Sequence, residues 1–405
     1  MTATATELRP APPVRRDRVA MGWVAAVAAS AFGDTAWLVA LAWTAVHLLD
    51  PAAAGLVVGV GTLPQAALML TGGVLADRHG PRRVVAAGEL GRAAVLVGGA
   101  LAWWADAPAV VVLPAVALAL GAVAGLTQPA LQTMTRLLVR PEDLPTVMGW
   151  SQVAQRLARL GGAPVGAWLV VAAGPATTML LDAATFAVVG VVAATLRARF
   201  ALPRTSAPGL VAVRQALHHL RTMPRTRSLV LGICGLNVFT APALTLGVPL
   251  RVSSAGWSAG WLGAAEALFA VGAIVGSLAA LRRRPERLAA AGFTALVVQG
   301  LAIALVGVPS KPVLLLATGL LGITAGLGSV WISAAFIATV DPGYLGRVSS
   351  VTTLGDLLVL PVAVPLFGAL AGWTGLVTAS VAFGAGMSVL CAVLSRRPEL
   401  RRIRA

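Results

Sequence analysis

Long apolar runs, broken at short intervals by arginines, prolines and glycines, dominate the chain from Ala20 to Leu394. A bilayer-spanning helix takes about 20 apolar residues at 1.5 Å each. On that measure the pattern predicts twelve helices: Ala20–Leu48, Ala52–Ala76, Val84–Trp104, Ala109–Val139, Leu144–Ala173, Pro175–Leu196, Leu229–Leu250, Trp257–Leu281, Leu288–Val306, Pro312–Val340, Leu345–Leu370 and Trp373–Leu394. The first run follows Arg15, Arg16 and Arg18 as a signal peptide would, but its length exceeds the roughly 7 to 15 apolar residues of an export segment, so it reads as a retained helix. Intervening polar stretches are too short to form a soluble domain. The longest connection, Arg197 to Arg227, has Leu210, Val213, Leu217 and Leu220 on one helical face and Arg214, His218 and Arg221 on the other, which predicts an amphipathic helix at the membrane surface.

Composition sharpens this picture. The chain is 58% hydrophobic and 11% charged, against about 25% charged in a soluble domain, which places it among membrane proteins. A net charge of +16 would suit nucleic acid in a soluble chain, but here the basic residues fall in alternate connecting segments. Twenty-six lie on one side of the predicted bilayer and only Arg251 and Lys311 on the other. Positive loops stay in the cytoplasm, so both termini are expected there, in a multi-pass protein of the inner (plasma) membrane with the bilayer as its principal partner and no nucleic acid. Cys234 and Cys391 both sit in apolar runs and offer neither a disulfide framework nor a CxxC site. His218 and His219 lack a second ligand cluster. No Walker A sequence, HExxH, nucleophile elbow or metal cluster is present, so no enzyme, metal or cofactor is expected.

The basic connection also divides the chain. The expected organisation is a cytoplasmic tail at 1–19, a six-helix bundle at 20–196, a linker at 197–228, a second six-helix bundle at 229–394 and a basic tail at 395–405. A weak repeat supports two related halves. Gly73–Ala76 reads GVLA and Gly276–Ala279 reads GSLA, while Pro141–Val147 resembles Pro342–Val348, at offsets of about 203 and 201 residues. Parallel halves of this kind occur among secondary transporters.

The segment from Gly73 to Arg83, GVLADRHGPRR, resembles the signature of the major facilitator superfamily, GxLaDrxGrkxxl, between its second and third helices. Phe32-Gly33-Asp34, Arg156–Gly166 (RLARLGGAPVG), Leu181–Phe186, Glu266–Leu278 and Gly346–Ser350 together look like the drug:proton antiporter branch, which includes macrolide and tetracycline-type multidrug exporters. That branch reads GPxxGG where this chain has Ala163-Pro164-Val165-Gly166-Ala167, and many members carry an arginine where Gln128 stands. The resemblance implies an all-α fold of two six-helix bundles and export of a lipophilic small molecule or drug by alternating access, driven by proton antiport without a cofactor, in a monomer. Uptake by proton symport, or uniport of a small metabolite, is the alternative on the same fold. The implied switch residues are Gly73, Asp77, Arg78, Gly80 and Arg82, with Gly73 allowing close helix approach and Gly80 the tight turn.

Ionisable groups inside the bilayer cost several kcal/mol and so mark function by default. Asp34 lies near the midpoint of the first helix and is the leading candidate for proton coupling and substrate binding, followed by Glu266 and Asp356 for the proton. Glu89 and Arg92, three residues apart, suit a structural salt bridge. Arg156 and Arg159 have the same spacing, with Glu89, Asp34 or an anionic substrate as possible partners, and Asp182 is expected at the periphery. If the family fold holds, the remaining cavity residues are Trp37, Gln128, Gln132, Asn237, Phe239, Ser333 and Phe336. Few of these are polar, which suits a lipophilic or amphiphilic substrate.

Overall fold

The computed structural model of the chain describes residues 17–140, 142–197, 199–200, 218–283, 285–341, 344–401 and 403, without the side chains of Leu70 and Pro145. The predicted amphipathic helix lies outside these residues up to 217; residues 218–222 are helical.

Helices are α1 (Arg18–Leu48), α2 (Pro51–Val60), α3 (Thr62–His79), α4 (Pro81–Trp104), α5 (Ala109–Leu138), α6 (Leu144–Thr195), α7 (Pro224–Pro242), α8 (Val248–Ser254), α9 (Gly260–Arg282), α10 (Leu288–Val306), α11 (Lys311–Thr339), α12 (Leu345–Thr374), α13 (Leu376–Arg396) and α14 (Pro398–Arg401). A π-helical turn, Ala243–Gly247, joins α7 to α8 after Pro242. Among the described residues, eleven helical segments are long and apolar enough to cross a bilayer. One of them, Thr146–Thr195, has 50 residues. At 1.5 Å per residue it would measure about 75 Å, more than twice the roughly 30 Å hydrocarbon core. Gly174 resolves the excess: its φ of 80° and ψ of 171° are not helical, and only a residue without Cβ adopts them readily. This break separates the fifth and sixth predicted helices, and the protein is an all-α, multi-pass membrane protein.

The chain forms two compact units, Met1–Ala40 with Leu63–Gly209 and Leu41–Thr62 with Leu210–Ala405. In the first, Trp23, Val24, Val84, Val85, Met134, Leu138, Val147 and Val189 form a hydrophobic core drawn from α1, α4, α5 and both parts of α6. Gly162 and Gly166, four apart on α6, let its backbone approach α1: a Cβ at Gly166 would lie 2.6 Å from Ala36 Cα. The segment that departs from the antiporter sequence is therefore a packing seam of small residues.

In the second unit α9 and α11 meet along a double seam. A Cβ at Gly272 would lie 3.0 Å from the Ile323 backbone nitrogen, and one at Gly326 would lie 2.8 Å from that of Ser277. Gly276 and Gly322 complete the two four-residue spacings. Where lipid is as apolar as leucine, such backbone proximity supplies the packing that a hydrophobic driving force cannot. Helix α2 packs against α12 by the same device: Cβ atoms at Gly55 and Gly59 would sit 2.8 and 3.1 Å from the Val364 and Leu360 carbonyl oxygens.

Candidate functional site

Helices α1, α4, α5 and α6 enclose a cavity of about 230 Å³ in the first unit. Its wall includes Ser30 and Asp34 on α1, Arg92 on α4, Gln128, Gln132 and Thr135 on α5, and Ser151, Gln152, Gln155 and Arg159 on α6. The lining is much more polar than the sequence reading expected. The missed residues on α6 fall at helical spacing within an otherwise apolar run, the signal that could have found them.

Asp34 sits half-exposed in this cavity, its side chain 45% accessible. The Arg92 guanidinium, 9% accessible, donates from Nη2 to Asp34 Oδ1 at 2.7 Å. Arg92 Nη1 also lies 3.6 Å from Glu89 Oε2, whose side chain is 3% accessible, and the guanidinium stacks 3.7 Å above the Phe186 ring. Phe186 thus covers one face of the cation with an apolar ring whose quadrupole favours it. Asp34 and Glu89 both take Arg92 as partner, so neither of the pairings considered for Arg156 and Arg159 is made there; Arg156 is exposed and Arg159 lines the cavity.

Asp182 is not peripheral but fully buried. It faces α1 where Gly33 leaves room, since a Cβ at Gly33 would fall 2.5 Å from Asp182 Oδ1. Thr185 donates to that oxygen at 3.1 Å. Glu89 Oε2, Arg92 Nε and Asp182 Oδ2 are buried without a hydrogen-bond partner among the described residues. Arg92 thus contacts two carboxyl groups, those of Asp34 and Glu89, while Asp182 is buried against α1 beside Gly33.

Trp37 does not line this cavity; it is buried at 4% accessibility, and Trp23 takes the lining position, donating from Nε1 to Thr135 Oγ1 at 3.2 Å. The second unit brings together two residues expected in different roles: Asn237 Nδ2 donates to Asp356 Oδ1 at 2.9 Å. Phe239 packs edge-on to Phe383 with ring centres 5.9 Å apart. Phe336 joins a hydrophobic cluster with Leu220, Val230, Val340 and Val348, Ser333 is exposed and Glu266 half-buried.

In the loop between α3 and α4, Gly80 adopts φ 85° and ψ 137°, so the tight turn is made where expected. Space beside Gly73 is open, and the close approach occurs one residue earlier, where a Cβ at Gly72 would lie 2.6 Å from the Leu126 carbonyl oxygen. Asp77 and Arg78 are exposed. Arg82 donates to the Ala194 carbonyl at the end of α6, a cation at the negative end of a helix dipole.

Residues 23–359 match the family model described as Major Facilitator Superfamily. The chain belongs to the Major Facilitator Superfamily. Solved superfamily-like structures agree in fold. A nucleoside transporter, NupG, superposes with a TM-score of 0.72 at 14% identity, covering 93% of this chain and 98% of that one. A bacterial homolog to the human lysosomal transporter Spinster gives 0.72 at 16% identity over 96% and 98%. The xylose transporter XylE from E. coli gives 0.67 at 10% identity over 93% and 95%. At such identities the likeness concerns the fold alone. No curated protein matches the chain by sequence. As a superfamily member the protein is a transporter and not an enzyme.

Proposed function

We propose that this transporter exports a small amphiphilic molecule from the cytoplasm by alternating access, in exchange for protons that bind the Asp34–Arg92–Glu89 cluster. The observation that carries the reading is Asp34 itself, open to a polar cavity yet ion-paired at 2.7 Å to a buried arginine. A carboxylate so placed is accessible to water and substrate while remaining tied to a neighbouring helix.

Its chemistry supports exchange. Protonation of Asp34 weakens its charge-assisted bond to Arg92, leaving the guanidinium to Glu89 and the Phe186 face. Such a change in pairing alters what holds α1 to α4, and a transporter needs that kind of differential interaction between its states. A cationic group on a substrate would compete with the proton for the same carboxylate. Mutual exclusion at one group couples outward substrate movement to inward proton movement. The resemblance to drug:proton antiporters supports the direction, and the 26 cytoplasmic-side basic residues against two support both termini inside the plasma membrane.

The glutamines give a second reading. Gln128, Gln132, Gln152 and Gln155 offer donors and acceptors to a hydrophilic solute, as uptake by proton symport would use. Proton flux in proteoliposomes, measured on adding lipophilic antibiotics, dyes and hydrophilic metabolites, separates the two. Substrate-driven proton release against the direction of substrate movement, lost in Asp34→Asn, is expected. Protons and substrate moving together would replace export with symport, and substrate flux without proton movement would remove coupling altogether.

A further inference from the structure

A second concavity, about 990 Å³, opens between α10 and α13 at their arginine-bearing ends. Three arginines from separate elements converge on it: Arg287 ahead of α10, Arg396 at the end of α13 and Arg401 on α14. All three are exposed. None forms an ion pair among the described residues, and Glu286 is the one acid of the described lining. Like charges brought together in this way call for an anion, and guanidinium groups match the geometry of phosphate.

Below the arginines the wall turns apolar. Ala290, Ala291, Val297 and Val298 line it from α10. The two hydroxyl residues in the same wall are already satisfied by their own helices, Thr294 donating to the Ala290 carbonyl at 2.8 Å and Ser395 to that of Ala392 at 3.0 Å. From Arg287 to Val298 the groove descends eleven residues, about 16 Å at 1.5 Å per residue. Half the hydrocarbon core is about 15 Å. The groove therefore runs from headgroup depth to the middle of the bilayer, the reach of one leaflet's acyl chain.

We propose that this groove binds an anionic phospholipid, its phosphate held by Arg287, Arg396 and Arg401 and one acyl chain lying along α10. Free phosphate would use the arginines alone and leave the apolar length unexplained. Basic pockets between spanning helices are suited to anionic headgroups, each arginine contributing about fivefold in affinity.

Native mass spectrometry of the full-length protein in detergent tests the assignment, with phosphatidylglycerol and phosphatidylcholine of identical acyl chains as probes. Wild type is expected to retain phosphatidylglycerol preferentially. The triple variant Arg287→Gln/Arg396→Gln/Arg401→Gln is expected to lose that preference roughly a hundredfold. Val298→Trp keeps the arginines but fills the lower groove, so it should weaken retention of the lipid as well. Equal retention of the two lipids by wild type, or an unchanged preference in the triple variant, would overturn the proposal. So would displacement of phosphatidylglycerol by inorganic phosphate together with no effect of Val298→Trp, which would assign the arginines to a free anion.

Discussion

Asp34 on α1 and Asn237 on α7 stand 203 positions apart, the same offset as Gly73 and Gly276, yet their surroundings differ in kind. Asp34 meets a buried cation that also contacts Glu89, with a polar cavity in front of it. Asn237 instead donates its amide to the carboxyl group of Asp356 on α12. One position offers an ion pair that a proton can break, and the other a hydrogen bond that fixes one helix to another. The comparison teaches that related positions can part company through a single acid-to-amide difference: the acid recruits a buried cation and the amide recruits an acid.

Removing the cation should break the contrast most severely. Arg92→Gln leaves the buried Glu89 without its counter-charge, and breaking a buried pair costs about 3–5 kcal/mol. The expected result is a steep fall in melting temperature and in monodisperse yield, partly restored by adding Glu89→Gln. Unchanged stability would mean that the ion pair does not organise this unit.

Asn237→Asp makes the amide position resemble the acidic one without supplying an arginine. Two carboxylates would then face each other at the 2.9 Å contact. They repel when ionised and share a hydrogen bond when one holds a proton, so stability of this variant should rise as pH falls from 8 to 5, with a neutral-pH deficit of about 2 kcal/mol. Thermal melts across that range read the sign directly, and a flat profile would show that the pair is opened to water. The smallest effect belongs to Asp356→Asn. An amide oxygen still accepts from Asn237, so the loss is confined to the charge assistance of one bond, about 1 kcal/mol, and proton-coupled flux should fall by less than about tenfold. A loss as complete as that expected of Asp34→Asn would move coupling into the second unit.

Helix positions were legible because apolar length alone determines them. The predicted segment Leu288–Val306 coincides with α10 and Val84–Trp104 lies within α4, while the Gly174-Pro175 pair marked the division of the long α6. The π turn at Ala243–Gly247 has no such signature, since the run around it is apolar on nearly every side and a shift of phase leaves no mark in it. Among site residues, Asp34 was visible as a charge in the wrong solvent, and Gln128 and Gln132 line a cavity with it inside the first unit. Its partner was not visible. Whether Arg92 or Arg159 reaches Asp34 depends on how helices rotate about their axes, and here Phe186 holds the Arg92 guanidinium in place. Asp182 was misjudged for a related reason: the missing side chain of Gly33 on another helix gives it room. Trp37 was expected to face a cavity from its position alone, but interior packing buries it.

The glycine seam between α9 and α11 carries a mechanical consequence. With Gly272 and Gly276 set against Gly322 and Gly326, the two helices meet backbone to backbone at these four positions, with no room there for an acyl chain to wedge. To the surrounding lipid they form one strut, twice as broad as a single helix and correspondingly stiff.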